Sequence, residues 1–130
     1  MILRKYMALI GIGSAQIDLI LDKEIYRPGE VVKGHFLIKG GTISQELKRI
    51  DCDLVTFNRT DESEEIVDSI TILTTKIIQS EAVNKIPFSF LLPNNARIST
   101  DTLSYRFKTR LAFKQGVESL DQDAIRIVQD

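Results

Sequence analysis

The chain has 130 residues, 43% of them hydrophobic, enough to bury a core as one domain without disulfides or structural metal. Lys and Arg total 17 against 18 Asp and Glu, so no global field draws the chain to nucleic acid or an anionic membrane, and any electrostatic role must be local. A single cysteine, Cys52, excludes an intramolecular disulfide and a thiol-rich metal framework, and fits a reducing cytoplasm.

Residues 1–13 set Arg4 and Lys5 before the apolar run Tyr6 to Ile12, followed by small residues. This imitates a short signal peptide, but the apolar core is at the short limit and runs directly into a strand pattern. The preferred reading is a short amphipathic helix or arm, with Ile2, Leu3, Tyr6, Met7, Leu9 and Ile10 opposed to Arg4 and Lys5, that covers a sheet edge. Contact with a membrane surface is the alternative. No apolar run approaches the length of a membrane-spanning helix.

From Ala15 to Leu21 the residues Ile17, Leu19 and Leu21 recur with a period near two, which predicts a strand. Ile25 and Tyr26 precede Arg27-Pro28-Gly29-Glu30. Proline presets φ and glycine supplies a positive φ, so Pro28 and Gly29 suit the centre of a type II turn. A second strand follows, with Val32, Gly34, Phe36 and Ile38 on one face, and the whole reads as a hairpin-like unit. In Leu47 to Phe57, the residues Ile50, Cys52, Leu54 and Thr56 alternate with Asp51, Asp53, Val55 and Phe57, predicting a third strand. Asn58 to Glu65, polar and acidic, predicts an exposed hairpin tip. Ser69 to Ile78, rich in Ile and Thr, predicts a strand. So does Lys85 to Leu92, with Ile86, Phe88, Phe90 and Leu92 inward, and Pro87 places it at a sheet edge. Leu103 to Phe113 alternates most clearly, with Tyr105, Phe107, Thr109, Leu111 and Phe113 opposite Arg106, Lys108, Arg110, Ala112 and Lys114. Several strands with turn signals between them, and little helical periodicity beyond the N-terminus, predict an all-β antiparallel sandwich.

The strings YRPGE, VVKG and IKGG, preceded by GIGSA and followed by Gln45-Glu46-Leu47, resemble the bacterial sporulation stage-zero control protein M family. Ile86 to Pro93 and the segment GVESLDQDAIRI, Gly116 to Ile127, extend the resemblance in the family's order. It implies an arrestin-like, immunoglobulin-like sandwich, in a family whose members resemble two such domains in tandem, with residues 1–130 as the first. These motifs are structural. Tyr26, Pro28, Gly29 and Gly34 are residues the turn unit needs.

Catalytic candidates are few. His35 is the only histidine, which removes most acid–base and zinc arrangements, and its position beside Lys33 and Lys39 reads as a solvated or half-buried strand residue. No Gly-flanked nucleophile elbow is present. Gly11-Ile12-Gly13 lacks the third glycine and the helix that phosphate binding demands. Asp61, Glu62, Glu64 and Glu65 offer oxygen ligands but match no EF-hand spacing, and solvated acidic tips are commoner than calcium sites. Cys52 sits in an apolar alternation and reads as core. No catalytic residue, cofactor or metal is therefore expected.

Arg106, Lys108 and Arg110 form the sharpest local feature, cations about 7 Å apart on one strand face. They need anions. Cross-strand pairing with residues such as Asp51 or Asp53 is preferred over a docking site for an acidic or phosphorylated partner. The expected function is a non-enzymatic cytoplasmic regulatory module that binds protein partners through sheet edges and loops, self-associating as a homodimer. The alternative is an anionic-ligand or membrane-surface domain using the basic ladder and the N-terminal segment.

Overall fold

The computed structural model describes residues 14–116 and 118–129; the helical segment expected over residues 1–13 lies outside them. Among the described residues the chain forms strands alone: β1 (Gln16–Leu21), β2 (Ile25–Tyr26), β3 (Val31–Lys39), β4 (Gln45–Asn58), β5 (Ser63–Leu73), β6 (Ile77–Ile78), β7 (Val83–Leu91), β8 (Leu103–Phe113) and β9 (Glu118–Ile127). A three-stranded sheet, β1-β3-β7, faces a larger one ordered β2-β9-β8-β4-β5, with β6 paired to the start of β4. All pairings among the described residues are antiparallel except the short β2–β9 contact. This is the expected antiparallel sandwich.

Alternation builds the core. Ile17 and Leu19, Val32, Phe36 and Ile38, and Phe88 and Phe90 face inward from the small sheet. Ile50, Cys52 and Leu54, together with Tyr105, Phe107 and Leu111, meet them from the large one. Four phenylalanines lock the layers: Phe88 stands edge-on to Phe36 (5.2 Å) and to Phe107 (5.4 Å), and Phe90 meets Phe107 at 5.1 Å. Such offset geometries suit the ring quadrupoles. Gln45 is buried and its Oε1 accepts the Ala15 N–H at 3.0 Å, tying β4 to the approach to β1. Cys52 is fully buried, with its thiol pushed up to about 12 by burial, and behaves as core.

The turn at Arg27–Glu30 has the expected form. Gly29 has φ +80°, and the Glu30 N–H donates to the Arg27 carbonyl at 3.1 Å. Its place is different from a hairpin tip. β1 and β3 do pair, Gln16 opposite Lys39 and Leu21 opposite Gly34, but between them the chain leaves the small sheet so that Ile25 and Tyr26 join β9 in the other. Tyr26 is buried, donating its hydroxyl to the Lys23 carbonyl at 2.7 Å. Gly34 lies inside β3, past the turn, where the space it leaves admits the Ile20 carbonyl.

Two boundaries shift. The tip expected over Asn58 to Glu65 is only a tight turn, and Ser63 to Asp68 belong to β5, because pairing with β4 overrides their acidic composition. The strand expected over Ser69 to Ile78 ends at Leu73, and Ile77 and Ile78 turn back to the head of β4 as β6. β7 lies at a sheet edge, where Pro87 needs no donor, as its sequence implied.

Candidate functional site

The basic ladder lies on the outer face of the large sheet. β8 sits between β4 and β9 there, so Arg106, Lys108 and Arg110 stand opposite Val55, Asp53 and Asp51 on one side and Ala124, Gln122 and Leu120 on the other. Arg110 Nη2 donates to Asp51 Oδ2 at 3.0 Å, and Nη1 lies 3.9 Å from Glu118. Lys108 pairs with Glu64 of β5. Arg106 donates to Gln122 Oε1 at 3.1 Å and lies over the Phe57 ring at 5.9 Å. Asp53 instead accepts the Ser69 hydroxyl at 2.6 Å. Asp51 is the hub, since Arg49 Nε (2.8 Å) and Thr71 Oγ1 (2.9 Å) also reach it. Burial alone would raise its carboxyl, but the bonds from Arg110 and Thr71 outweigh this and hold it below the ordinary carboxylate range. The face therefore carries a mixed, answered charge pattern in place of a bare cationic strip.

A second constellation is absent from the sequence reading. Asp121 and Asp123 share the inward parity of Thr109 and Phe107, their partners on β8, yet they reach the open side of the sandwich where β9 passes β1. There their carboxylate oxygens and that of Asp18 all lie within 4.8 Å of one another. Asp121 Oδ2 accepts the Leu19 N–H at 2.9 Å, so an acidic side chain of one sheet covers an edge donor of the other. Asp123 Oδ2 is buried and has no hydrogen-bond partner among the described residues. A groove of about 480 Å³ opens beside it, lined by Asp18, Ile20, Glu24, Gln122 and Asp123 among others. These three oxygens are of the type a hard cation takes, and among the described residues they form the grouping with spacing for one, whereas the acidic turn at Asp61 to Glu65 does not. No spacing signal could have found them, because residues over a hundred positions apart meet only when the two sheets close.

Like charges this close cannot all ionise freely. Burial first, then hydrogen bonding with Asp121 and the charges of Asp121 and Asp18, pushes the Asp123 carboxyl up to about 8, and burial with Asp121 also raises Asp18. A raised folded-state pKa contributes stability that is complete below the ordinary aspartate range and is lost as pH rises through about 8. Asp123 is only partly buried, so solvent screening reduces the effect to about 1–2 kcal/mol. Asp123→Asn, which mimics the protonated group, is expected to flatten the pH dependence of urea unfolding between pH 4 and about 8 and to be the more stable form at the upper end. Parallel curves for the two proteins would show that the seam holds no proton.

Comparison with known proteins follows the fold. A family model described as SpoOM protein matches residues 3–130. The sporulation-control protein spo0M of Bacillus subtilis (strain 168) is 33% identical over 128 residues, covering 94% of this chain and 50% of that protein. The crystal structure of Spo0M, sporulation control protein, from Bacillus subtilis superposes with TM-score 0.82 at 31% identity, over 92% of this chain and 51% of that one. A cycloisomaltooligosaccharide glucanotransferase from Paenibacillus sp. reaches TM-score 0.62 at 17% identity, over 90% of this chain and 14% of that one, a likeness of fold alone. The chain spans about half the length of the sporulation-control relative it matches.

Proposed function

This chain belongs to the SpoOM protein family, and on that footing we propose that it is a non-enzymatic regulatory module that holds protein partners along its sheet edges and loops. The observation that carries this reading is two strand edges, β5 on the large sheet and β7 on the small one, that are unpaired among the described residues and bear large exposed apolar side chains. Ile66 and Leu73 of β5 are 64% and 77% exposed; Val83 and Leu91 of β7 are 61% and 64% exposed. Edges of this kind offer main-chain pairing for affinity and side-chain contacts for selectivity. The setting we propose is cytoplasmic sporulation control, by kinship with the Bacillus subtilis protein. The carboxylates and amide around Arg106, Lys108 and Arg110 leave less cationic surface for the anionic-ligand or membrane reading than the sequence alone implied.

Affinity capture from the source cell, with three variants beside the parent chain, tests the proposal. One variant reverses Arg106, Lys108 and Arg110 to Glu, one changes Val83 and Leu91 to Lys, and one changes Ile66 and Leu73 to Lys. A partner held by the parent and lost from either edge variant is the expected result. A partner lost only from the charge-reversed variant would move the function to the ladder, and loss from none would remove both readings. Self-association is expected as well, through the β7 edge, so light scattering should give the mass of a dimer that falls to a monomer in the Val83 and Leu91 variant. A monomeric parent at high concentration would count against it.

A further inference from the structure

The segment from Thr60 to Thr75 contains Asp61, Glu62, Glu64, Glu65 and Asp68 and no Lys or Arg. Among the described residues only Glu64 has an ion-pair partner, Lys108. Asp61 is turned to the Ser63 N–H and hydroxyl, and Asp68 to the Ser69 N–H. Among the described residues β5 is the last strand of its sheet and pairs with β4 alone, so its far edge presents main-chain donors and acceptors that meet no described neighbour. Pairing also sorts its side chains. Glu64 and Ile66, opposite Phe57 and Val55, lie on the outer face, while Glu65 and Asp68, opposite Thr56 and Leu54, share the other face across the irregularity at Val67. Both of these last carboxylates are exposed even though their partners on β4 are buried.

We infer that the β5 edge takes an extended basic peptide segment as an added strand, its Lys or Arg side chains over Glu65 and Asp68 and its apolar side chains against Ile66. The inference rests on the edge-binding reading above and names the chemistry of the partner. Charge decides the occupant: a neutral strand would leave the carboxylates desolvated and unanswered, and a second copy of β5 brings carboxylates but no cation to them. Main-chain pairing supplies the rest of the affinity and requires the partner to be extended.

A synthetic decapeptide alternating lysine and valine is the probe, with a glutamate–valine peptide of the same length and a lysine–valine peptide N-methylated at alternate residues as controls. Binding is read by isothermal titration and by amide shifts in the full chain. The expected result is binding by the first peptide alone, shifts concentrated in Ser63–Leu73, and about tenfold weaker binding to the Glu65→Lys, Asp68→Lys double variant, whose exposed positions leave the fold intact. Equal binding of the N-methylated peptide would reduce the site to unspecific charge attraction and overturn the inference. So would absence of binding at low salt, shifts centred on β7, or self-association through β5. Capture of a partner that depends on Val83 and Leu91 would preserve the edge-binding function while this inference fails.

Discussion

Phe107→Ala is expected to destabilise the domain by about 3–5 kcal/mol, the largest single effect among its side chains. Phe107 is fully buried on β8 and is the large-sheet ring that touches both Phe88 and Phe90 of the small sheet. Truncation removes the transfer energy of the ring, leaves a cavity between two sheets whose separation the surrounding aromatics hold open, and deletes two edge-on ring contacts. Domains of this size are stable by about 5–15 kcal/mol, so the variant should be marginal at room temperature. Urea unfolding followed by circular dichroism measures it, with Phe107→Leu as the companion that restores most of the volume. A cost below about 1 kcal/mol for the alanine variant would mean that the layers collapse onto the gap and that these rings do not set their spacing.

Gly34→Ala is the second, at about 2–3 kcal/mol, and its cause is backbone crowding. A Cβ at Gly34 would lie 2.1 Å from the Ile20 carbonyl oxygen and 3.0 Å from Leu21 Cα, atoms of the paired strand that cannot swing aside. Relief requires β1 to part from β3 where Leu21 faces Gly34 and the Asp22 N–H meets the Lys33 carbonyl at 2.9 Å. Gly116→Ala provides the contrast, since nothing lies within 4 Å of its added Cβ but its φ of +85° is strained for any side chain. That variant should lose about 1–2 kcal/mol from conformation alone. Hydrogen exchange separates the two: Gly34→Ala should expose the amides of β1 and the start of β3, and Gly116→Ala should leave them protected. Unchanged protection of β1 in the first variant would place the strain elsewhere.

The strands with strict alternation were legible because period two is written residue by residue: Leu103 to Phe113 and Val32 to Ile38 read correctly before any partner was known. The Pro28-Gly29 turn was legible for a similar reason, as φ constraints act within a few residues. The limits of β5 are not written in its own residues. Its acidic start looked like loop and its Ile-rich end like one continuous strand, while the real limits depend on where β4 offers a partner.

Local pattern thus determined the all-β class, the inward set of Phe36, Phe88, Phe90 and Phe107, the buried fate of Cys52, and the resemblance that became membership of the SpoOM family. Tertiary structure decided which charges meet. Asp51 was a partner the sequence already offered the basic ladder, but that Arg110 takes it and also lies near Glu118, while Asp53 turns to Ser69, follows from β8 lying between β4 and β9. Asp18 meets Asp121 and Asp123 because the two sheets close on each other at β1 and β9. Alternation is a property of one strand and can be read along the chain, whereas the pairing of charges and the openness of an edge are properties of neighbours, which exist only after the chain has folded.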